Sequence, residues 1–403
     1  MTREGMKKMT RRTLSIIVAS GAALLTATIA LAQVWQPLSG VLPSYLQPPL
    51  KPVSRVASQS ALDNALNRAQ GGEIIGLAPG NYSVQLKNRV FFKPVMLTSA
   101  DPKKPAVISW IKLEDVSDLT FTRLELARTI RPGEKVEGTY VGTIWGGRNI
   151  TFDAVFVHGS LDNDASNDMT GLNFGRVDNL RLVNSEFTQL GRGAVFNGVD
   201  NVTVANNKVH AIRSDGFNFV QSQKVLVDGN HFSDSQRALK DHPDAIQFWT
   251  LKTSRPSTDI VIRNNQIIQG NGSGTQGIFM RDEGLNMPFE RVLIENNLVV
   301  ASNMANGIYL DNGIDVSIIN NTVLSRVDGV NPVWIKLKNV KDPKVEGNIA
   351  DIGGNKTVGG AKIDKSLLKG DRFNTVVAED VVVPGIGFQI REPKQSRPET
   401  STK

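Results

Sequence analysis

The chain has 403 residues and no cysteine, which excludes disulfides, thiolate metal sites and a cysteine nucleophile. Its 36 glycines and 6% aromatic content lean towards a turn-rich β architecture. The length exceeds the roughly 250–300 residues that one compact core usually fills, a limit that repeat architectures escape because each unit packs only on its neighbours. Of the net charge of +7, +4 lies in residues 1–32, where five basic residues face Glu4; the remaining +3, with no long basic run, gives no support for a nucleic-acid partner.

Basic residues end at Arg11-Arg12, an apolar run covers 14–31, and Ala30-Leu31-Ala32 matches a small-x-small cleavage pattern. Residues 1–32 therefore read as a signal peptide. The expected destination is periplasmic or secreted, with no stable membrane span after cleavage. Residues 33–57 are Pro-rich and read as an extended lead-in. Ser60 is a plausible N-cap for a short helix carrying Ala61, Leu62, Ala65, Leu66 and Ala69 at helical spacing, and Gly71-Gly72 stops it. A strand follows near residue 75, then a turn at Pro79-Gly80-Asn81-Tyr82.

From about residue 149 to 350 the chain repeats. One repeated piece is seen in Asn201-Val202-Thr203-Val204-Ala205-Asn206-Asn207 and again in Ile260-Val261-Ile262-Arg263-Asn264-Asn265. Copies end at residues 185, 207, 230, 265, 297, 321 and 348. The commonest interval, roughly 22–24 residues, suits one coil of three short strands. The Asn pair suits a left-handed turn and a side-chain amide stack from coil to coil. The expected fold is all-β, a right-handed parallel β-helix over 58–388 with an N-terminal helical cap. A C-terminal cap with strands near 375–383 and a disordered tail over 389–403 complete it.

A second piece recurs as Gly171-Leu172-Asn173-Phe174, Gly193-Ala194-Val195-Phe196, Gly216-Phe217-Asn218-Phe219, Ala245-Ile246-Gln247-Phe248, Gly277-Ile278-Phe279-Met280 and Gly307-Ile308-Tyr309-Leu310. Its second and fourth positions are apolar and face the core; the others face outward. Outward positions on neighbouring coils lie about 4.8 Å apart. Asp215 and Asp244 then occupy equivalent places on adjacent coils. Two carboxylates so close must split their pKa values or share a cation, which makes calcium a candidate cofactor on that pair. Around them the pattern gathers Arg192, Lys240, His242 and Arg281 as catalytic candidates. Asn218, Gln247, Trp249, Tyr309 and Asp311 are candidates for binding a sugar chain, as is Arg192. Longer coils place extra chain around 233–243 and 251–257, on both sides of the strand that carries Asp244, as a cleft wall.

The helix, strand and Pro-Gly-x-Tyr order, with the repeats over roughly 58–350, resembles the pectate-lyase-like superfamily of right-handed β-helix proteins. It includes polysaccharide lyases, epimerases, polygalacturonase-type hydrolases and phage tailspikes. Ser214-Asp215-Gly216 is similar to the first polygalacturonase motif, and Asp244 holds one acid of the second. The Gly-His-Gly motif is replaced by Gln276-Gly277-Ile278, and Trp334-Ile335-Lys336 resembles the last motif with Trp in place of Arg. The resemblance implies a carbohydrate-active protein with a polysaccharide partner. The expected activity is lyase-type cleavage of a uronate-containing polymer. The alternatives are a glycoside hydrolase using Asp215 and Asp244, or a non-catalytic glycan-binding or envelope-structural β-helix. Oligomeric state is not legible.

Overall fold

The computed structural model describes residues 54–238, 241–329, 331–352, 356–357 and 365–391. The expected signal peptide, lead-in residues 33–53, Lys240 and residues 392–403 lie outside these. Among the described residues, 27 strands are joined by parallel pairings, and Lys356–Thr357 adds one antiparallel pairing with Ile349–Ile352. Each coil contributes a strand to each of three parallel faces. In the central coils sheet A contains Asp178–Val183, Asp200–Ala205 and Gln223–Asp228. Sheet B contains Glu186–Leu190, Lys208–Ile212 and His231–Ser233. Sheet C contains Thr170–Gly175, Ala194–Asn197, Phe217–Val220 and Asp244–Trp249. No helix among the described residues is long and apolar enough to cross a membrane.

Where a repeat ends in two Asn residues, they divide the work at the corner between sheets A and B. The first adopts a left-handed backbone, with φ of +55° at Asn206, +56° at Asn264, +52° at Asn296 and +54° at Asn320. Asn tolerates this better than most side chains. The second forms a buried ladder. Asn207, Asn230, Asn265, Asn297 and Asn321 each receive two amide hydrogen bonds on Oδ1 from the preceding coil, or one where that coil carries Ser185. Each side-chain amide donates in turn to the Oδ1 of the following coil. Inside the coil, Phe121, Phe152, Phe174, Phe196, Phe219 and Phe248 form a column whose ring centroids step by 4.8, 5.6, 5.2, 4.4 and 4.5 Å.

The helix at the N-terminal end spans Gln59–Arg68 and buries Leu62 and Leu66. Its cap is Ser58, whose Oγ accepts from Ala61 N at 3.2 Å, and not Ser60. Gln59 is thereby free to clamp Ser83, donating to its carbonyl at 3.0 Å and accepting from its N–H at 2.8 Å. The lead-in also ends earlier than the sequence suggests, because Ser54–Val56 already pairs with Ile75–Leu77 as a strand of sheet A. At the other end, residues 375–383 are not strands. Ala378–Val381 is a 3-10 turn, with Asp380 accepting from Val377 N at 3.1 Å. The alternating apolar residues there pack sideways: Phe373, Val376, Val381 and Phe388 cover Ile268, Val300 and Leu324 on the outer face of sheet B. Nor does order stop at 388. Gln389 N donates to Asn296 Oδ1 at 2.6 Å, and Arg391 pairs with Asp228 at 3.4 Å.

The Asn ladder carries a quantitative expectation. Asn265 is fully buried and makes four side-chain hydrogen bonds, to Asn230 N and Nδ2, Val227 O and Asn297 Oδ1. Each is worth about 1 kcal/mol, and orphaned partners cost about 1–3 kcal/mol. Asn265→Ala is expected to lower unfolding free energy by about 3 kcal/mol in a urea titration, against less than about 1 kcal/mol for Asn206→Gly, which keeps the left-handed corner. Equal losses would mean that the ladder is not the stabilising element.

Candidate active site

The register of sheet C sets the site. Asn218 lies beside Gln247 and Val220 beside Trp249, which places Asp215 beside Asp244. Gly216 N donates to Asp244 O at 2.8 Å and Gly193 N to Asp215 O at 3.1 Å. One margin of the sheet thus runs Thr170, Arg192, Asp215, Asp244, Gln276, Asn306. The other runs Gly175, Asn197, Val220, Trp249, Arg281, Asp311, Lys338.

A single hydrogen-bond network joins the first margin to the middle of the sheet. Arg192 Nε donates to Asp215 Oδ2 at 2.9 Å. Asn218 Nδ2 donates to Asp215 Oδ2 at 3.1 Å and to Gln247 Oε1. Gln247 Nε2 donates to Asp244 Oδ2 at 2.5 Å, and Trp249 Nε1 donates to Asn218 Oδ1 at 2.9 Å. His242 Nδ1 lies 3.9 Å from Asp244 Oδ2. The two acids sit below the surface, Asp244 at 0% and Asp215 at 3% exposure, while Arg192 and His242 side chains are 46% and 65% exposed. Burial, reinforced by the charge of Asp215, pushes the Asp244 carboxyl well above the usual range, against the pull of Gln247 and Gln276. Asp244 Oδ1 has no hydrogen-bond partner. Beside Asp244 lies a cavity of about 10 Å³ lined also by Ser214, Ser233 and Thr275, close to the least volume that holds a water.

The remaining candidates form a separate group. A six-residue strand spans about 17 Å end to end, so Arg281, Asp311 and Lys338 line the far margin, away from Asp215 and Asp244. Arg281 is exposed, and no ion pair holds it among the described residues. Its neighbour Asp282 turns inward. Burial opposes its ionisation, but Thr250, Asn312 Nδ2 (2.6 Å) and Met287 N (2.8 Å) keep its pKa below the usual range. Tyr309 stacks on Phe279 with centroids 5.1 Å apart and donates to Asp311 Oδ2 at 3.1 Å. Burial, then the Asp311 charge, raises its phenol pKa. Asp311 also accepts from Lys338 at 3.3 Å and Asn339 at 2.8 Å.

With this geometry in place, comparison with known proteins bears on the fold. Residues 143–323 match the family model for the right handed beta helix region. The chain is a right-handed parallel β-helix. Similar solved structures include an alginate lyase from a Paenibacillus species, 14% identical over 72% of this chain and 96% of that one, with a TM-score of 0.33. A rhamnogalacturonan lyase is 13% identical over 78% and 92%, with a TM-score of 0.43. A surface adhesin of Streptococcus pneumoniae is 12% identical over 75% and 90%, with a TM-score of 0.35. These likenesses concern the fold alone. No curated protein matches the sequence.

Three features of this β-helix escaped the sequence reading. Trp145 lies on the far margin over Gly175, where a Cβ would come within 2.0 Å of the ring, and Arg176 stacks on it at 5.2 Å. Its strand was hidden because Gly142 fills a position that is apolar in the other copies. Arg213 Nε donates to Asp241 Oδ2 at 2.6 Å and so ties down the loop that carries His242. Asp168 is buried, and its carboxyl is pushed up to about 7, first by burial, then by Asp162, against Arg213.

A raised carboxyl pKa makes stability depend on pH in a known direction. The unfolded chain loses the Asp244 proton near pH 4, before the folded β-helix does, so this residue's contribution declines as pH rises above about 4. Asp244→Asn cannot ionise. It is expected to match the wild type near pH 4 and to exceed it in stability at about pH 7–8, as read from urea midpoints across that range. A variant weaker than wild type at the higher pH would argue against a neutral buried Asp244.

Proposed function

We propose that the protein is an enzyme that cleaves an acidic, uronate-containing polysaccharide by β-elimination, after export directed by residues 1–32. The observation carrying this reading is the sorting of charge on sheet C. The carboxylates of Asp215, Asp244 and Asp311 are buried, whereas Arg192, His242, Arg281, Lys336 and Lys338 reach solvent. A ligand on this face meets cations and aromatic faces. That suits an anionic sugar chain better than a neutral one.

In this reading Arg192 neutralises the uronate carboxylate, which makes the proton on the adjacent carbon removable. His242 takes that proton, the bond to the glycosidic oxygen breaks, and the same imidazolium returns the proton to the departing oxygen. Asp244 Oδ2 lies 3.9 Å from His242 Nδ1 behind the ring, and Trp249 stacks on a neighbouring sugar. The Asp215–Asp244 pair is a poor fit for calcium. Arg192 and Asn218 already occupy Asp215 Oδ2, which leaves Asp244 Oδ1 as the unpartnered oxygen. No step is therefore routed through a cation there. The raised Asp244 carboxyl beside Asp215 favours a second reading, glycoside hydrolysis with Asp244 as acid, but both groups would have to rise to the surface to touch a glycosidic oxygen.

Assays on uronate polysaccharides, following ultraviolet absorbance of the unsaturated product together with reducing ends, separate these readings. Both signals are expected to rise. His242→Ala is expected to cut turnover about 10²–10⁴-fold, and Arg192→Ala to impair it on uronate polymers. Reducing ends without absorbance would replace elimination by hydrolysis, and neither signal across a broad panel would point to a binding role.

A further inference from the structure

The loop over 159–168 joins Phe156–His158 of sheet B to Thr170–Gly175 of sheet C, and it is dense in oxygen donors. Ser160 Oγ lies 2.8 Å from Asp162 Oδ1 and 3.0 Å from Asn167 Oδ1, and Asn167 Nδ2 donates to Asp162 Oδ2 at 2.8 Å. Asp164 accepts from Ser166 N at 2.9 Å. Asn163 N donates to Gln189 Oε1 at 2.7 Å, which pins the loop to the next coil.

Beneath the loop lies Asp168, 2% exposed, and neither of its carboxylate oxygens has a hydrogen-bond partner. Its Oδ1 is 3.6 Å from the place where a Cβ on Gly159 would stand, so the carboxylate points at the loop's first residue. Asp162 and Asp164 are the acids whose charge reaches it. Arg213 is the cation whose charge reaches it, but that guanidinium donates to Asp241 at 2.6 Å. A buried carboxylate with no donor is a costly arrangement unless something else compensates its charge.

We propose that Asp168 and the 159–168 loop form a binding site for one hard divalent cation of the calcium type. The available ligands are carboxylate, amide, hydroxyl and main-chain oxygens, which suits calcium and not the softer metals that prefer His or Cys. Among the described residues no three acidic or His side chains converge on a metal position. The ion would therefore take Asp168 and one loop carboxylate, and fill its roughly 6–8-fold oxygen shell with neutral donors. The site would brace the turn that leads into Thr170–Gly175, and it is independent of the elimination chemistry proposed above.

The test is calorimetric titration of the chelator-treated protein with calcium chloride, with thermal unfolding followed in parallel. One equivalent of calcium per chain and a higher Tm are expected. Asp168→Asn, equal in shape but uncharged, should weaken binding about tenfold or more and abolish the Tm rise, while Asp244→Asn should retain both. If Asp168→Asn does not fold, the double variant Asp162→Asn/Asp164→Asn, altered at exposed positions, should show the same weakening. No calcium binding by the wild type, binding unchanged in these variants, or loss in Asp244→Asn alone would each overturn the assignment.

Discussion

Everything in this molecule depends on the coil-to-coil register, and the buried asparagine ladder is the interaction that holds it. A parallel sheet can slip along its strands by two residues without exposing its apolar side chains. The ladder removes that freedom, because each Asn amide must meet the Oδ1 of the next coil at about the same height. A slipped coil would bury unpaired amides. The phenylalanine column adds attraction, with four stacked steps and one edge-on step at Phe152–Phe174, but no hydrogen bond that would be lost by a slip.

Register becomes chemistry on sheet C. Positions far apart in sequence, such as 192, 215 and 244, stand one strand spacing apart because the corner beside them does not slip. The network from Arg192 through Asp215, Asn218 and Gln247 to Asp244 and Trp249 then follows from side-chain length alone. Loop insertions add what a uniform coil lacks: an exposed imidazole and a tether for it in the Arg213–Asp241 pair.

Much of this was legible in the sequence, because period, alternation and the Asn pairs are one-dimensional signals that a coil converts directly into neighbours. The pairing of Asp215 with Asp244 is an example. Depth was not legible. Whether an outward carboxylate reaches solvent depends on its rotamer and on which loop lies over it, so the burial of Asp215 and Asp244 beneath an exposed Arg192 left no trace in the pattern. Distance across the strand was not legible either, so that Arg281 and Asp311 read as neighbours of residues on the opposite margin. At the ends of the coil local capping overrode pattern: Ser58 took the helix start, and Asp380 turned an alternating run into a 3-10 turn. Trp145 was hidden by a glycine in its strand.

The ladder also bears on how such a surface changes over time. Each rung presents the same acceptor to the rung before it and the same donor to the rung after it, so any rung can follow any other. Removal of one whole unit, for instance 208–230, would leave Asn207 facing Asn265 with its bonding intact. On sheet C the same excision would seat Arg192 directly against Asp244. Such a chain explores new combinations of side chains by cutting and splicing entire rungs, much as a combination lock changes its code by exchanging wheels on a common spindle.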